Sequence, residues 1–345
     1  MTMTGKLAGL HALLAAGLSA AAGSAAAQGY PSKSITVIVP FAAGGPSDVI
    51  ARIVTEHMTR TLGQSIVIEN VAGAGGTTGS ARVASSTPDG YTLLSGSMGS
   101  HVAAPVLTPN MKYEPLKDFE PVGLTLDAPA VIVVKKSLPV NNLKEFASYL
   151  KANGEKVSQA HGGVGASSHM ACLLFTSQIG AKPSVVAYRG SGPALNDVVA
   201  GQIDFVCDQT MGMTGQITGG NVKALVVAQN ERSAAIPNVP SAKEAGYSDF
   251  QLSIWSGIFA PKGTLKDVVA KLNGAISAAL DDPATRKRLE DLGGSIPPKA
   301  ARTPEQLAAL MQRDMTRWQP ILKAAAAAAP PVAAAAPSAA PAVQK

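Results

Sequence analysis

The chain has 345 residues, 46% of them hydrophobic and only 4% aromatic, and a formal net charge of +6. That length exceeds one ordinary core and suits two lobes. Its basic residues are scattered, with Lys135-Lys136 and Arg286-Lys287-Arg288 the only short runs, and aromatics are not interleaved with them; this pattern excludes nucleic acid as an expected partner.

The first segment places Lys6 before an apolar, Ala/Leu-rich run from Leu7 to about Ala22, then small residues ending in Ala25-Ala26-Ala27. A basic start, an apolar centre and a small-residue end predict a secretory signal peptide over 1–27, cleaved near Ala27. The run is too short and Ala-rich for a membrane span. No cysteine stands near the cleavage point to carry a lipid. Cleavage would remove Lys6 alone among the charges and leave +5, a modest excess that steers anions.

Strand and helix signals then alternate. SITVIVPF (34–41) is a β-branched run, and Ser47–Leu62 carries Ile50, Ile53, Val54, Met58 and Leu62 on one helical face. QSIVIEN (64–70) predicts a strand, followed by a Gly-rich turn, a short helix to about Ser85 and the strand YTLLSGS (91–97). A second series follows Pro129: strand 131–136, helix 141–152, strand 156–161, helix 166–179, strand 184–188, helix 191–200, and strands 202–208 and 222–229. Beyond Pro240 come a strand over 251–261 and helices over 264–280, 282–291 and 304–318. Such alternation indicates parallel βαβ units. The chain makes one α/β lobe (28–127), crosses to a second (128–229) and returns to complete the first (230–322), so two crossings form a hinge. The Ala/Pro-rich remainder (323–345) has nothing large to bury and is expected to be disordered.

Four glycine-rich turns lie between a strand end and a helix start, where open α/β sheets bind ligands. They are PFAAGGPSD (40–48), AGAGGTTG (72–79), HGGVGASSH (161–169) and YRGSGPA (188–194). Glycine allows close backbone approach, and N–H groups at a helix start suit a carboxylate or phosphate. Each turn taken alone is more often only a turn. Asp48 either caps its helix or complements the helix dipole, or else it orients the 41–47 loop or bonds a ligand hydroxyl. His169 reads first as a packed histidine, Arg189 as a solvated cation or a ligand contact, and Trp255 and Phe41 as core or interface residues. Asp208, at a strand end, serves a capping or hinge role or a polar contact.

Enzyme signatures fail. Gly73, Gly75 and Gly79 give a spacing one residue longer than the dinucleotide fingerprint, HGGVG has no accompanying G-x-S-x-G elbow, and no Cys/His cluster has metal spacing. No cofactor or metal is expected, and the chain is not expected to be an enzyme. Cys172 and Cys207 either pair in an oxidising compartment or stay as buried thiols.

The blocks VPFAAGGPSDVIAR (39–52), ENVAGAGGTTGSARVASSTPDGYTLL (69–94), GGVGASSHMA (162–171) and YRGSGPALNDVVAGQIDFVCD (188–208), in that order, resemble the Bug-type receptors of tripartite tricarboxylate transporters. The resemblance spans about residues 30–320. It implies a type II periplasmic-binding-protein fold, with two α/β lobes, a hinge and an interlobe ligand cleft. It implies a periplasmic receptor that binds a small carboxylate, an amino acid or a nicotinate-like acid through backbone amides and bridging waters. Delivery to one large and one small membrane subunit follows from the same likeness, with the receptor itself taken as a monomer. Feeding a signalling protein is the alternative, and an exported α/β enzyme a more remote one. Carried over by position, the first-lobe ligand contacts are Phe41, Ala42, Ala43, Gly44, Gly45 and Ser47, with Asp48 beside them, then Gly75, Gly76 and Thr77, and the strand end at Ser95 and Ser97. Those of the second lobe are Gly165, Ser167, Ser168, His169, Arg189 and Gly190, with Asp208 nearby.

Overall fold

The computed structural model describes residues 29–328; the expected signal peptide and the tail beyond Ala328 lie outside the described residues. The chain first builds β1 (Ile35–Val39), α1 (Pro46–Leu62), β2 (Ile66–Asn70), α2 (Thr77–Ala84), β3 (Thr92–Ser97) and a short α3 (Ala104–Leu107). β4 (Phe119–Lys135) leads to α4 (Leu143–Asn153), β5 (Ser158–His161), α5 (Ser167–Ile179), β6 (Ser184–Ala187), α6 (Ser191–Val199), β7 (Phe205–Gln209), α7 (Thr210–Thr218) and β8 (Val222–Val227). The return supplies β9 (Ser253–Pro261), α8 (Lys266–Asp281), α9 (Pro283–Asp291) and α10 (Pro304–Ala328).

These elements form two sheet regions joined through one strand. In the first lobe β1 lies parallel between β2 and β3, and β9 runs antiparallel between β3 and β4. In the second, β5 lies parallel between β6 and β7, while β4 pairs antiparallel with β7 and β8. β4 therefore belongs to both: Phe119–Pro129 pairs with β9, and Ala130–Lys135 pairs with β7 and β8. The two-lobed α/β arrangement expected from the sequence is the observed one.

Local chemistry explains the elements that position the later site. β1 is five residues of Ile, Thr and Val, and a strand flanked by parallel neighbours buries both faces. α1 begins with Pro46, whose missing N–H is no loss in a first turn, and stops at Gly63, which adopts the left-handed conformation. Its Ile50, Ile53, Val54 and Met58 are buried against the first-lobe core, in a cluster that also takes in Leu272, Ile276 and Leu280 of α8. Trp255 is core, donating from Nε1 to Asp314 Oδ2 at 2.9 Å.

Four elements depart from the sequence expectation, the first being the short α3, which no sequence signal marked. The strand expected at 131–136 begins at Phe119, because pairing with β9 carries the ladder from there to Pro129, shifting register after Pro121 and again after Leu124. α7 was not expected, since TMGMTGQIT is poor in helix formers; burial of Met211 and Met213 holds it. α10 runs past the ends expected at 318 and 322, through Pro320 to Ala328. Trp318, Leu322 and Ala325 recur on one buried stripe. Burying large apolar side chains is worth about 1.5–3 kcal/mol each, enough to offset the ~3 kcal/mol an interior proline costs a helix.

Candidate functional site

Four helices point their N-termini at one cavity between the lobes. α1 comes from the first lobe; α5, α6 and α7 come from the second. None of the four has a side-chain cap on its first turn. Uncapped first-turn N–H groups are donors in need of a partner, and aligned peptide dipoles make each such end partly positive. The cavity they surround is lined by Phe41, Gly45, Pro46 and Ser47 from the α1 start, Ala166, Ser167 and Ser168 from the α5 start, Ser191 of α6, and Asp208 and Gln209 at the end of β7. It leaves about 20 Å³ for the centre of a water-sized sphere, room on the scale of one or two waters. A larger hollow of about 660 Å³ lies elsewhere, between the end of α10 and α5, and is lined by Phe250, Trp318 and Ile321 rather than by helix starts.

The glycine turns of the two lobes meet face to face. Ala42 N donates to Arg189 O at 3.0 Å, and the Ser97 and Ser167 hydroxyls lie 3.5 Å apart. Gly75, at φ 67°, sits so close to the second lobe that a Cβ there would lie 1.7 Å from Val164 O. A Cβ on Gly163 would lie 2.7 Å from Gly75 Cα. Only glycine permits this backbone-to-backbone contact, which explains the residue type better than turn geometry alone.

Phe41, Gly45, Ser47, Ser167, Ser168 and Asp208 are thus brought together around the cavity. Several other candidates take different places. Ala42, Ala43 and Gly190 belong to the lobe contact, since a Cβ on Gly190 would be 2.8 Å from Ala42 N and one on Gly192 2.6 Å from Ala43 O. Gly165 packs on Ala104, Gly76 lies under the Phe41 ring, and Thr77 Oγ1 donates to Ala74 O at 2.9 Å. Ser95 is buried in the ladder opposite Ile258, and Ser97 stands at the lobe contact rather than in the cavity wall. The Arg189 side chain is exposed, and its backbone carbonyl makes the contact.

Two more candidates turn inward. Asp48 faces away from the cavity and braces the loop: Oδ2 accepts from Gly44 N, Arg52 Nε reaches both oxygens, and Asn70 Nδ2 donates to Oδ1, all at 3.0 Å. Asn70 also donates to Phe41 O at 3.0 Å, so Gly44 and Phe41 are held from one point. Burial pushes the Asp48 carboxyl up, but the bonds from Arg52, Gly44 and Asn70 outweigh it and hold it below the usual range. Gly44 serves this brace. His169 is a packed histidine: Nδ1 accepts from Gly165 N at 3.2 Å, and the ring stacks on His161 with centroids 4.3 Å apart. Burial lowers His169 to about 4, and burial together with the neighbouring His169 lowers His161 to about 3.

Asp208 is different. Its Oδ1 accepts from Gln209 N at 2.7 Å, while Oδ2 is buried without a hydrogen-bond partner. Burial raises the carboxyl to about 6, with Ser191 and the Gln209 N–H pulling the other way. Ser191 is near enough to moderate the acid yet outside hydrogen-bonding geometry to Oδ2. The nearby Ser168 Oγ accepts from Gly162 N at 2.8 Å and receives a long 3.5 Å contact from Ser191. Cys172 of α5 and Cys207 of β7 are bonded, with Cα atoms 5.2 Å apart, which ties the helix bearing Ser167 and Ser168 to the strand bearing Asp208.

Of the remaining wall residues, Pro46 and Ala166 lie inside the carried-over loops 41–47 and 165–169, while sequence reasoning missed Ser191 and Gln209. Ser191 opens a helix within the 188–194 turn already singled out, so its position relative to the helix was the usable signal. Gln209 had none, because the helix it precedes was not legible. Among the described residues there is no cluster of three or more metal-type side chains, and no helix is long and apolar enough to cross a membrane.

The chain as a whole is similar to known proteins. A family model described as "Tripartite tricarboxylate transporter family receptor" matches residues 50–326. The structure of MatC from Rhodopseudomonas palustris, solved with bound malate, is 45% identical, superposes with a TM-score of 0.83, and the match covers 85% of this chain and 100% of that one. The periplasmic binding protein BugD is 41% identical with a TM-score of 0.83, over 87% of this chain and 100% of that one. BugT of Bordetella pertussis is 34% identical over 325 residues, 94% of this chain and 98% of its own length.

Proposed function

The chain belongs to the tripartite tricarboxylate transporter receptor family, of the TctC or Bug type, and from that premise we propose that it captures a small carboxylate between its lobes and presents it to a membrane transporter. The observation that carries this reading is the convergence of four uncapped helix starts, from both lobes, on one cavity. A carboxylate entering the open cleft first meets the α1 start, which shares the cavity wall with Phe41. Closure then brings the α5, α6 and α7 starts onto the same group and excludes bulk water, which strengthens each bond. Ligand shifts the open–closed balance only through its preference for the closed form. The wall is made largely of backbone and small hydroxyl groups, so bridging waters let one scaffold accept different distal groups.

The same reading includes export by cleavage near Ala27. Its lobes are 28–127 with 230–322, and 128–229; the receptor works as a monomer, and its transporter has one large and one small membrane subunit. Binding without turnover is favoured over catalysis by the disposition of the hydroxyls. Ser100 Oγ lies 2.9 Å from His101 Nδ1, but both residues are fully buried and closed to substrate, while Ser168 in the cavity wall and His169 next to it in α5 are each engaged by backbone N–H groups. A nucleophile needs a base within reach and access to substrate.

The test is a thermal-shift screen of mono-, di- and tricarboxylates, with malate among them. Ligand at a hundredfold excess over its Kd stabilises by about 2.7 kcal/mol, and at least one acid should raise Tm accordingly. A folded sample that responds to none removes carboxylates as the ligand class.

A further inference from the structure

Two aspartates stand at this cleft, and only Asp48 has its charge answered. Asp208 is 2% exposed, ends β7 at the cavity wall and leaves Oδ2 unpartnered. No lysine, arginine or histidine among the described residues forms an ion pair with it. The packed elements bring no counter-charge either. β4 presents Val131 opposite it, α6 presents Ser191, and α7 begins with Thr210. From α5 come Ser167 and Ser168, with His169 turned onto His161 and both held neutral by burial. From α1 comes Ser47, with Asp48 turned back onto Arg52.

A carboxylate bound at the helix starts would share this small space with Asp208. Two like charges a few ångströms apart, away from water, repel strongly, and one shared proton removes the conflict. Resting on the carboxylate-capture reading, we propose that Asp208 is a specificity-determining residue that meets the ligand as a neutral acid, its Oδ2–H donating to a ligand carboxylate oxygen, so that each capture takes up one proton from solvent. No covalent bond other than that O–H changes. Burial has already brought the acid to about 6, so the proton is within reach near neutrality. A lone pair of a ligand oxygen accepts from Oδ2–H and supplies the partner Oδ2 lacks, and acids of higher proton affinity gain most.

The linkage has a definite sign. Above about pH 6 the ligand-free acid is ionised, and affinity falls towards tenfold per pH unit; below it the dependence flattens. The experiment is isothermal titration of the mature chain with L-malate, succinate and adipate at pH 6.5 and 8.5, each in two buffers of different ionisation enthalpy. The expected result is roughly fifty- to hundredfold weaker binding at pH 8.5, with proton uptake approaching one. Asp208→Asn carries a permanent donor and should bind more tightly than the wild type at pH 8.5, with the pH dependence gone. Wild-type binding without proton uptake overturns the proposal while leaving carboxylate capture intact, whatever the variant does. So does an Asp208→Asn protein that loses malate but keeps succinate, since Asp208 would then be an ionised acceptor for the malate hydroxyl. If none of the three acids binds at either pH and the thermal-shift screen is silent as well, the capture reading fails, and this proposal fails with it.

Discussion

The α1 entry loop and the end of β7 each bury an aspartate at the same cleft, and they treat it in opposite ways. Asp48 receives bonds from Gly44, Arg52 and Asn70, and its carboxyl is held below the usual range. Asp208 has one satisfied oxygen, one unsatisfied, and a carboxyl raised to about 6. Buried polar groups in folded proteins are nearly always paired, so the exception calls for a reason. The first aspartate keeps a loop in shape. The second keeps an opening for something that is not part of the chain.

Four changes break or sharpen this contrast. The largest effect belongs to Gly75→Val, whose side chain would collide with Val164 O across the cleft. It should prevent closure and weaken carboxylate binding by at least about a hundredfold, the differential a closing ligand supplies. Scattering in the presence of ligand should show the extended form, and unchanged affinity would mean the two turns do not meet in the bound state. Next is Asp48→Ala, which strands Arg52, Asn70 and the Gly44 N–H. A loss of about 2–3 kcal/mol in urea unfolding is expected, with weaker binding following from a loosened Phe41.

Third comes the pH dependence of stability. The Asp208 carboxyl is raised in the folded state, so its contribution is present below its unfolded value and lost as pH rises through about 6. Asp208→Asn should therefore stabilise the ligand-free protein at pH 8 by about 1–2 kcal/mol, less than the full shift because the amide is buried too, and do little at pH 4. His101, His161 and His169 are lowered to between about 3 and 4, so their contribution is present above the ordinary histidine value and lost as pH falls towards 4. Wild-type unfolding followed from pH 7 to pH 4 should show that loss. The smallest effect is Arg189→Ala: the side chain is exposed and the carbonyl makes the contact, so affinity should change less than about twofold at moderate salt. A tenfold loss would give that cation a ligand.

Much of the fold was legible because strand and helix periods alternate cleanly, as in 34–62, and because glycine marks strand-to-helix turns. The site was legible to the level of loops. What lay beyond reach depends on residues far apart in sequence. That Asp48 orients the 41–47 loop was one reading the sequence allowed, but choosing it needed Asn70, which arrives on β2. Ser95 looked like a cleft residue from its place at a strand end, yet pairing with β9 buries it in the ladder. α7 and Gln209 were hidden because Met211 and Met213, not helix propensity, hold that helix in place. Pro121 and Pro129 disguised the length of β4, whose ladder is completed by a strand more than a hundred residues later.

That length has a mechanical consequence. Since β4 runs unbroken from one sheet region into the other, with β9 alongside its first stretch and β7 and β8 beside its second, the lobes cannot swing on a slack tether. Parting them means twisting a hydrogen-bonded ribbon where it passes from one sheet region to the other, between Pro129 and Ala130. Such a connection acts as a leaf spring, in which bending of one lobe against the other is resisted by the ladder on both sides of the crossing.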